Sequence, residues 1–350
     1  MKKFWIDSLI GIMLLSSLAD AEHIPDLKPE TASEESSLGS RNLTLMPEET
    51  TKRSKNPYLT GLFAEIFPGA GYWYLGDYRS ALLSSTLMLP IAAPFYITTP
   101  TFITKSVKVN LAILSGNLFS YTVYDSFQSA MTKEDRKNQI VPIPHYSFSE
   151  LYFAPLKADS YSSWKMWVPI GLASLVFQSK LINKGISPKI TPTRALIGIP
   201  LILAQTFMIG MGEEAEFRGF QHPAFSQLSK SAWIGNALQS MSFGACHTRW
   251  GICGRPYGTG QLLRETHTID KNREYIAPSS PSDGGNVPDF QYFLSTAIYG
   301  LWWGWIVQSE ENGLLQTITS HALFDAFLIT SDLLTTNETG RIYLNISIPF

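Results

Sequence analysis

The sequence predicts an all-α, polytopic membrane helix bundle of about seven transmembrane helices. Three observations lead there. Hydrophobic residues make up 45% of the 350 and charged residues only 16%, against roughly a quarter in soluble domains. The missing charge is concentrated in apolar runs close to the ~20 residues that cross a bilayer. No stretch between these runs is large enough to fold as a soluble domain of its own.

The elements follow in chain order. Lys2 and Lys3 precede an apolar stretch, Leu9 to Leu18, and Ala19-Asp20-Ala21 offers a small-x-small cleavage site, so 1–21 reads as a signal peptide or an uncleaved anchor. Residues 22–56 are polar, with a Glu/Ser/Thr cluster at Glu30 to Ser37. They hold too little apolar surface to offset chain entropy and read as a disordered linker. The segment 57–190 reads as N-terminal membrane helices preceded by an aromatic element, Phe67 to Asp77. There Gly69, Gly71 and Gly76 permit tight turns, and the aromatics suit a headgroup interface as a short helical hairpin.

Candidate spans lie at roughly 80–98, 107–128, 164–180, 195–228, 231–249, 291–309 and 313–334. The last four form a core, 191–334, interrupted by a polar insert at 250–289, and 335–350 is a tail. An external N-terminus puts Lys180, Lys184, Lys189 and Arg194 inside, together with Arg249, Arg255 and Arg264; Glu310 and Glu311 fall outside. This follows the positive-inside rule, which Lys133, Arg136 and Lys137 break.

Composition also excludes. Net charge is −2 and there is no basic tract, so nucleic acid is not a partner. Cys246 and Cys253 form neither a disulfide framework nor a CxxC knuckle, and read as a small buried residue and a loop thiol. The run Trp302-Trp303-Gly304-Trp305 reads as an interfacial aromatic belt.

Charged residues in apolar helices are costly and mark function by default. The 195–228 run ends in Glu213-Glu214-Ala215-Glu216-Phe217-Arg218. Glu214 and Arg218 are four apart, so they share a helical face and can pair. Glu213 is rotated by about 100° and stays available as a general base. Glu216 is given no role beyond hydration. His247 closes the next apolar helix. Glu213 stands 17 residues before Lys230 and His247 stands 17 after it. In an antiparallel hairpin turning near Lys230 the two side chains reach the same depth. His321 and Asp325, again four apart, add a second imidazole and carboxylate.

Glu213-Glu214-x-x-x-Arg218, Phe243-x-x-x-His247 and His321-x-x-x-Asp325 resemble, in order, the three motifs of the CPBP (Abi) intramembrane protease family. That family includes CAAX prenyl endopeptidases and bacteriocin-processing or self-immunity proteins. Arg218-Gly219-Phe220 and the stretch from Tyr299-Gly300-Leu301 to Gly313-Leu314 fit its surroundings, and the resemblance covers roughly 195–334. It implies that Glu213 and His247 activate the water that attacks the scissile amide. Glu214, held by Arg218, would set geometry, and His321 and Asp325 would stabilise the oxyanion or position the water. The family often has Asn where Asp325 stands. The expected site has no obligatory cofactor. A divalent metal such as zinc, if used, would sit on Glu213, His247 and His321, although no HExxH helix is present.

The expected partners are the lipid bilayer and a protein or peptide substrate at the membrane. The expected location is the bacterial cytoplasmic (inner) membrane. The 250–289 insert, with His267, leaves beside His247 and is expected to cover the cavity. Two other readings compete: a non-catalytic relative of the self-immunity or scaffold type, and a transporter. A transporter would show inverted repeats, which are not evident here.

Overall fold

The computed structural model describes residues 55–96, 105–187, 190–247 and 289–335. The expected signal segment, most of the 22–56 linker, nearly all of the 250–289 insert with His267, and the tail beyond 335 lie outside the described residues.

The fold is all-α among the described residues. Helix α1, Pro57–Ile66, starts where the Asn56 side chain accepts from the N–H groups of Tyr58 and Leu59, satisfying donors that the first turn leaves open. Helix α2, Ala70–Leu75, is bracketed by Gly69 and Gly76 at φ 86° and 85°, a left-handed conformation glycine adopts without a Cβ penalty. Helices α3, Tyr78–Tyr96, and α4, Lys105–Ala130, follow. Short helices α5, Lys133–Lys137, and α6, Phe148–Tyr152, each open with a capping box, Thr132 with Asp135 and Ser147 with Glu150. Two single turns of 3-10 helix lead into α7, Trp164–Lys184.

Helix α8, Pro192–Glu216, continues through a π turn, Phe217–Gln221, into α9, His222–Ser229. Lys230, at φ 57° and ψ 26°, ends α9, and Ser231 caps α10, Ala232–Cys246, by accepting from the Ile234 N–H. Helices α11, Asp289–Ser309, and α12, Gly313–Thr335, complete the described fold.

The expectation of seven crossings is corrected. Among the described residues one helical segment, Ala195–Ser229, is long and apolar enough to cross a membrane. The apolar runs were real, but several are short or carry polar side chains. Helix α10 has 15 residues. Helix α12 buries Gln316, Thr317, Thr319, Ser320 and His321, so much of its polarity faces protein. The inside–outside alternation built on seven crossings falls with them. A second correction concerns Cys246, which is disulfide-bonded and not a free buried thiol.

Glycines set the helix approaches around the centre. A Cβ on Gly212 would lie 2.4 Å from Asn117 Oδ1 of α4, and one on Gly210 would lie 2.9 Å from the Ile318 carbonyl oxygen of α12. Helix α8 is therefore clasped by α4 and α12 immediately before Glu213. On the far side, a Cβ on Gly304 would meet Asn236 Oδ1 at 1.9 Å, so the side-chain amides of α10 lie directly against the α11 backbone. Met166, Ile170, Phe217, Phe243, Trp303 and Ile306 form one apolar cluster among α7, the π turn, α10 and α11.

Candidate active site

Three helical segments bring the charged residues together. Glu213 and Glu214 come from the last turn of α8, and Arg218 from the π turn that follows. π turns are rare and often sit at functional sites. His247 comes from the C-terminal cap of α10, and His321 and Asp325 come from successive turns of α12. The turn at Lys230 makes α8–α9 and α10 the two arms of a hairpin, which carries Glu213 and His247 to the same depth.

Glu213 Oε2 lies 3.4 Å from His247 Nε2 and 3.8 Å from His321 Nε2. His247 Nδ1 donates to the Phe243 carbonyl oxygen at 2.8 Å. A carbonyl only accepts, so the Nδ1 proton is fixed, and in the neutral ring Nε2 is the basic nitrogen facing Glu213. The side chains of Glu213 and His247 keep 25% and 27% of their surface exposed, although the Glu213 Oε2 that faces the imidazole is itself buried.

The neighbouring layer is fully enclosed. Glu214 and Arg218 are both 0% exposed, with Arg218 Nη1 3.2 Å from Glu214 Oε1. The same Glu214 oxygen accepts from His321 Nδ1 at 2.8 Å. Glu214 therefore ties the first motif to the third across 107 residues of sequence, a link that helical periodicity does not reveal. His321, like His247, spends Nδ1 on an acceptor and turns Nε2 toward the other carboxylates, 3.8 Å from Glu213 Oε2 and 3.7 Å from Asp325 Oδ2. Among the described residues no group of three or more His, Cys, Asp or Glu is arranged to hold a metal ion.

Aromatic residues complete the enclosure. The Arg218 guanidinium carbon is 4.2 Å from the Phe243 ring centroid, 5.4 Å from Trp303 and 5.9 Å from Phe217. Trp303 is 2% exposed and stacks on His321, with centroids 4.3 Å apart and planes inclined by 19°. Its assignment to an interfacial belt is corrected. Trp302 and Trp305, three apart, do share a face with the exposed Trp164. Trp303 is rotated about 100° from Trp302 and points inward. That rotation was the available signal.

Glu216 is also fully buried, with Oε1 accepting from Gln221 Nε2, which in turn contacts Glu65 of α1 at 3.2 Å. The hydration role expected for it is therefore replaced by a buried link between the π turn and the N-terminal helices.

A Glu/His cluster drawn from three helical segments, beside an apolar helix, gives the class as an all-α protein with a candidate Glu/His catalytic centre. Residues 195–327 match the family model described as Type II CAAX prenyl endopeptidase Rce1-like. Over this segment the chain is similar to the CAAX-protease/CPBP group, in agreement with the motifs read from the sequence. No curated protein and no solved structure matches the chain. The matched segment begins in the apolar helix and ends two residues beyond Asp325.

Proposed function

We propose that this protein is a CPBP-type endopeptidase of the membrane that hydrolyses a peptide bond with water activated by Glu213 and His247. The observation that carries the reading is the 3.4 Å approach of Glu213 Oε2 to His247 Nε2, with the other nitrogen of His247 already committed to Phe243. Two basic atoms then stand side by side.

In the proposed reaction the water oxygen attacks the scissile carbonyl carbon while its proton passes to the Glu213–His247 pair. The resulting tetrahedral intermediate expels the amine, which receives that proton from the same pair. When both nitrogens of His321 carry protons, Nδ1–H is spent on Glu214 and Nε2–H is left to donate to the oxyanion. Asp325 accepts from the attacking water or from His321, the role open to a carboxylate where an amide would donate. The substrate is a protein or peptide presented at the membrane, and the location is the bacterial cytoplasmic membrane.

The test compares the termini of membrane proteins in cells carrying the parent chain with those carrying Glu213→Gln or His247→Ala at equal abundance. The reading expects one or a few termini to vanish in both variants while the uncut precursor accumulates. Termini unchanged in both would leave the non-catalytic, scaffold-type reading.

A further inference from the structure

We propose that Trp303 is a positioning residue for His321, fixing the plane of the imidazole and coupling it to the buried Arg218–Glu214 pair. The inference rests on the endopeptidase reading for its catalytic consequence, but its geometric content stands apart from it.

An imidazole held only through Nδ1 can still rotate about that hydrogen bond. His321 has one such bond, to Glu214. Rotation would swing Nε2 away from Glu213 and Asp325, which it faces at 3.8 and 3.7 Å. The near-parallel indole of Trp303 blocks this, because tilting the ring would lose the stack or drive it into the indole. The edge of Phe243 closes a second side, its ring 6.1 Å away at 85°.

The indole is itself anchored. Trp303 Nε1 donates to Ser320 Oγ at 3.1 Å, and Ser320 Oγ donates to the Met166 carbonyl oxygen at 2.9 Å. Ser320 immediately precedes His321 on α12, so α11 is locked to α12 beside the imidazole and to α7 beyond it.

Trp303 also faces the cation. None of the three Arg218 guanidinium nitrogens makes a hydrogen bond of acceptable geometry among the described residues. Its charge is balanced by Glu214 at 3.2 Å and by the ring faces of Phe243 and Trp303. Cation–π attraction strengthens when the cation is desolvated, as Arg218 is. One indole therefore touches both the arginine that holds Glu214 and the histidine that Glu214 holds. Removing it loosens both ends of the Arg218–Glu214–His321 chain.

The experiment uses the full chain in native membranes. Diethyl pyrocarbonate labels the unprotonated nitrogens of histidine, and mass spectrometry reads His321 and His247 separately across a pH series. Trp303→Leu is expected to raise the His321 labelling rate roughly two- to tenfold, the range an aromatic pair supplies. It should also move the pH midpoint of that labelling, while His247 keeps the parental rate. Trp303→Phe, which keeps a ring and loses the N–H, should fall between. Trp302→Leu, whose indole N–H donates to the Lys165 carbonyl, should match the parent.

The product termini defined above should decrease in the order parent, Trp303→Phe, Trp303→Leu. Parental His321 labelling in a Trp303→Leu protein with the parental melting midpoint would overturn the proposal, as would parental product levels. If Trp303→Leu does not fold, Trp303→Phe decides by the same two readouts. If Glu213→Gln itself leaves every terminus in place, the endopeptidase reading fails, and the labelling series alone decides whether Trp303 positions His321.

Discussion

Two carboxylate–imidazole pairs in this molecule have the same separation. Asp125 Oδ1 and His145 Nε2 are 3.4 Å apart in the N-terminal half, and Glu213 Oε2 and His247 Nε2 are 3.4 Å apart in the matched segment. Their exposure is also alike, 30% and 23% for His145 and Asp125 against 27% and 25% for His247 and Glu213. Their surroundings differ. Asp125 accepts from the hydroxyls of Tyr72 and Tyr121, neutral donors that spend its lone pairs. Glu213 and His247 instead border a second histidine, two further carboxylates and a buried arginine. A carboxylate–histidine distance does not by itself make a site. What surrounds the pair decides whether its charge is quenched or kept available.

The largest expected effect sets these pairs against each other. Glu213→Gln removes the proposed base and should lower turnover by about 10²–10⁴-fold, the usual range for a general acid–base group. Asp125→Asn keeps an acceptor for the tyrosines and should leave the same product termini at the parental level. Loss of product in Asp125→Asn, with the protein still folded and abundant, would break the comparison.

The next effect concerns stability and sharpens the contrast between buried and half-exposed charge. Arg218→Met removes the cation from a pair with no solvent on either side. Glu214, left buried without its cation and with only the His321 N–H as partner, should cost about 3–5 kcal/mol, read as a lower denaturation midpoint in detergent micelles. His145→Ala removes one member of a partly exposed pair and should cost about 0–1 kcal/mol. Equal losses in the two variants would mean that burial does not set the value of these pairs.

The legibility of the site divides along the same line. Glu214 with Arg218, His321 with Asp325, and the depth match of Glu213 with His247 were readable because helical phase and a single turn at Lys230 fix them locally. The bridge from Glu214 to His321 spans 107 residues, and the stack of Trp303 on His321 depends on how α11 meets α12. No period in the sequence carries that information. The number of crossings was misread for a related reason. Counting apolar runs ignores what their polar members face, and α12 turns its own toward the bundle. The contact between Tyr72 and Asp125, 53 residues apart, was as hidden as the Glu214–His321 bridge. The tight turns at Gly69 and Gly76 were legible because the left-handed backbone calls for glycine.

The smallest expected effects compare two glycines on facing helices. Gly212 lies one residue before Glu213, and a Cβ there would be 2.4 Å from Asn117 Oδ1 and 2.6 Å from the Asn117 Cα. The second contact is backbone, so a rotamer change in Asn117 does not relieve it. Gly212→Ala must push α4 away from α8 and should cost about 1–3 kcal/mol. Because the displaced backbone carries Glu213, product formation should fall as well. Gly116 sits beside Asn117 on the same helix α4, yet a Cβ there meets nothing within 4 Å. Its substitution acts only through helix propensity, so Gly116→Ala should stabilise by about 0.5–1 kcal/mol and leave cleavage unchanged. The two variants add the same methyl group at the same helix pair. If both shift the denaturation midpoint in the same direction, close approach at Gly212 is not what holds Glu213 in register.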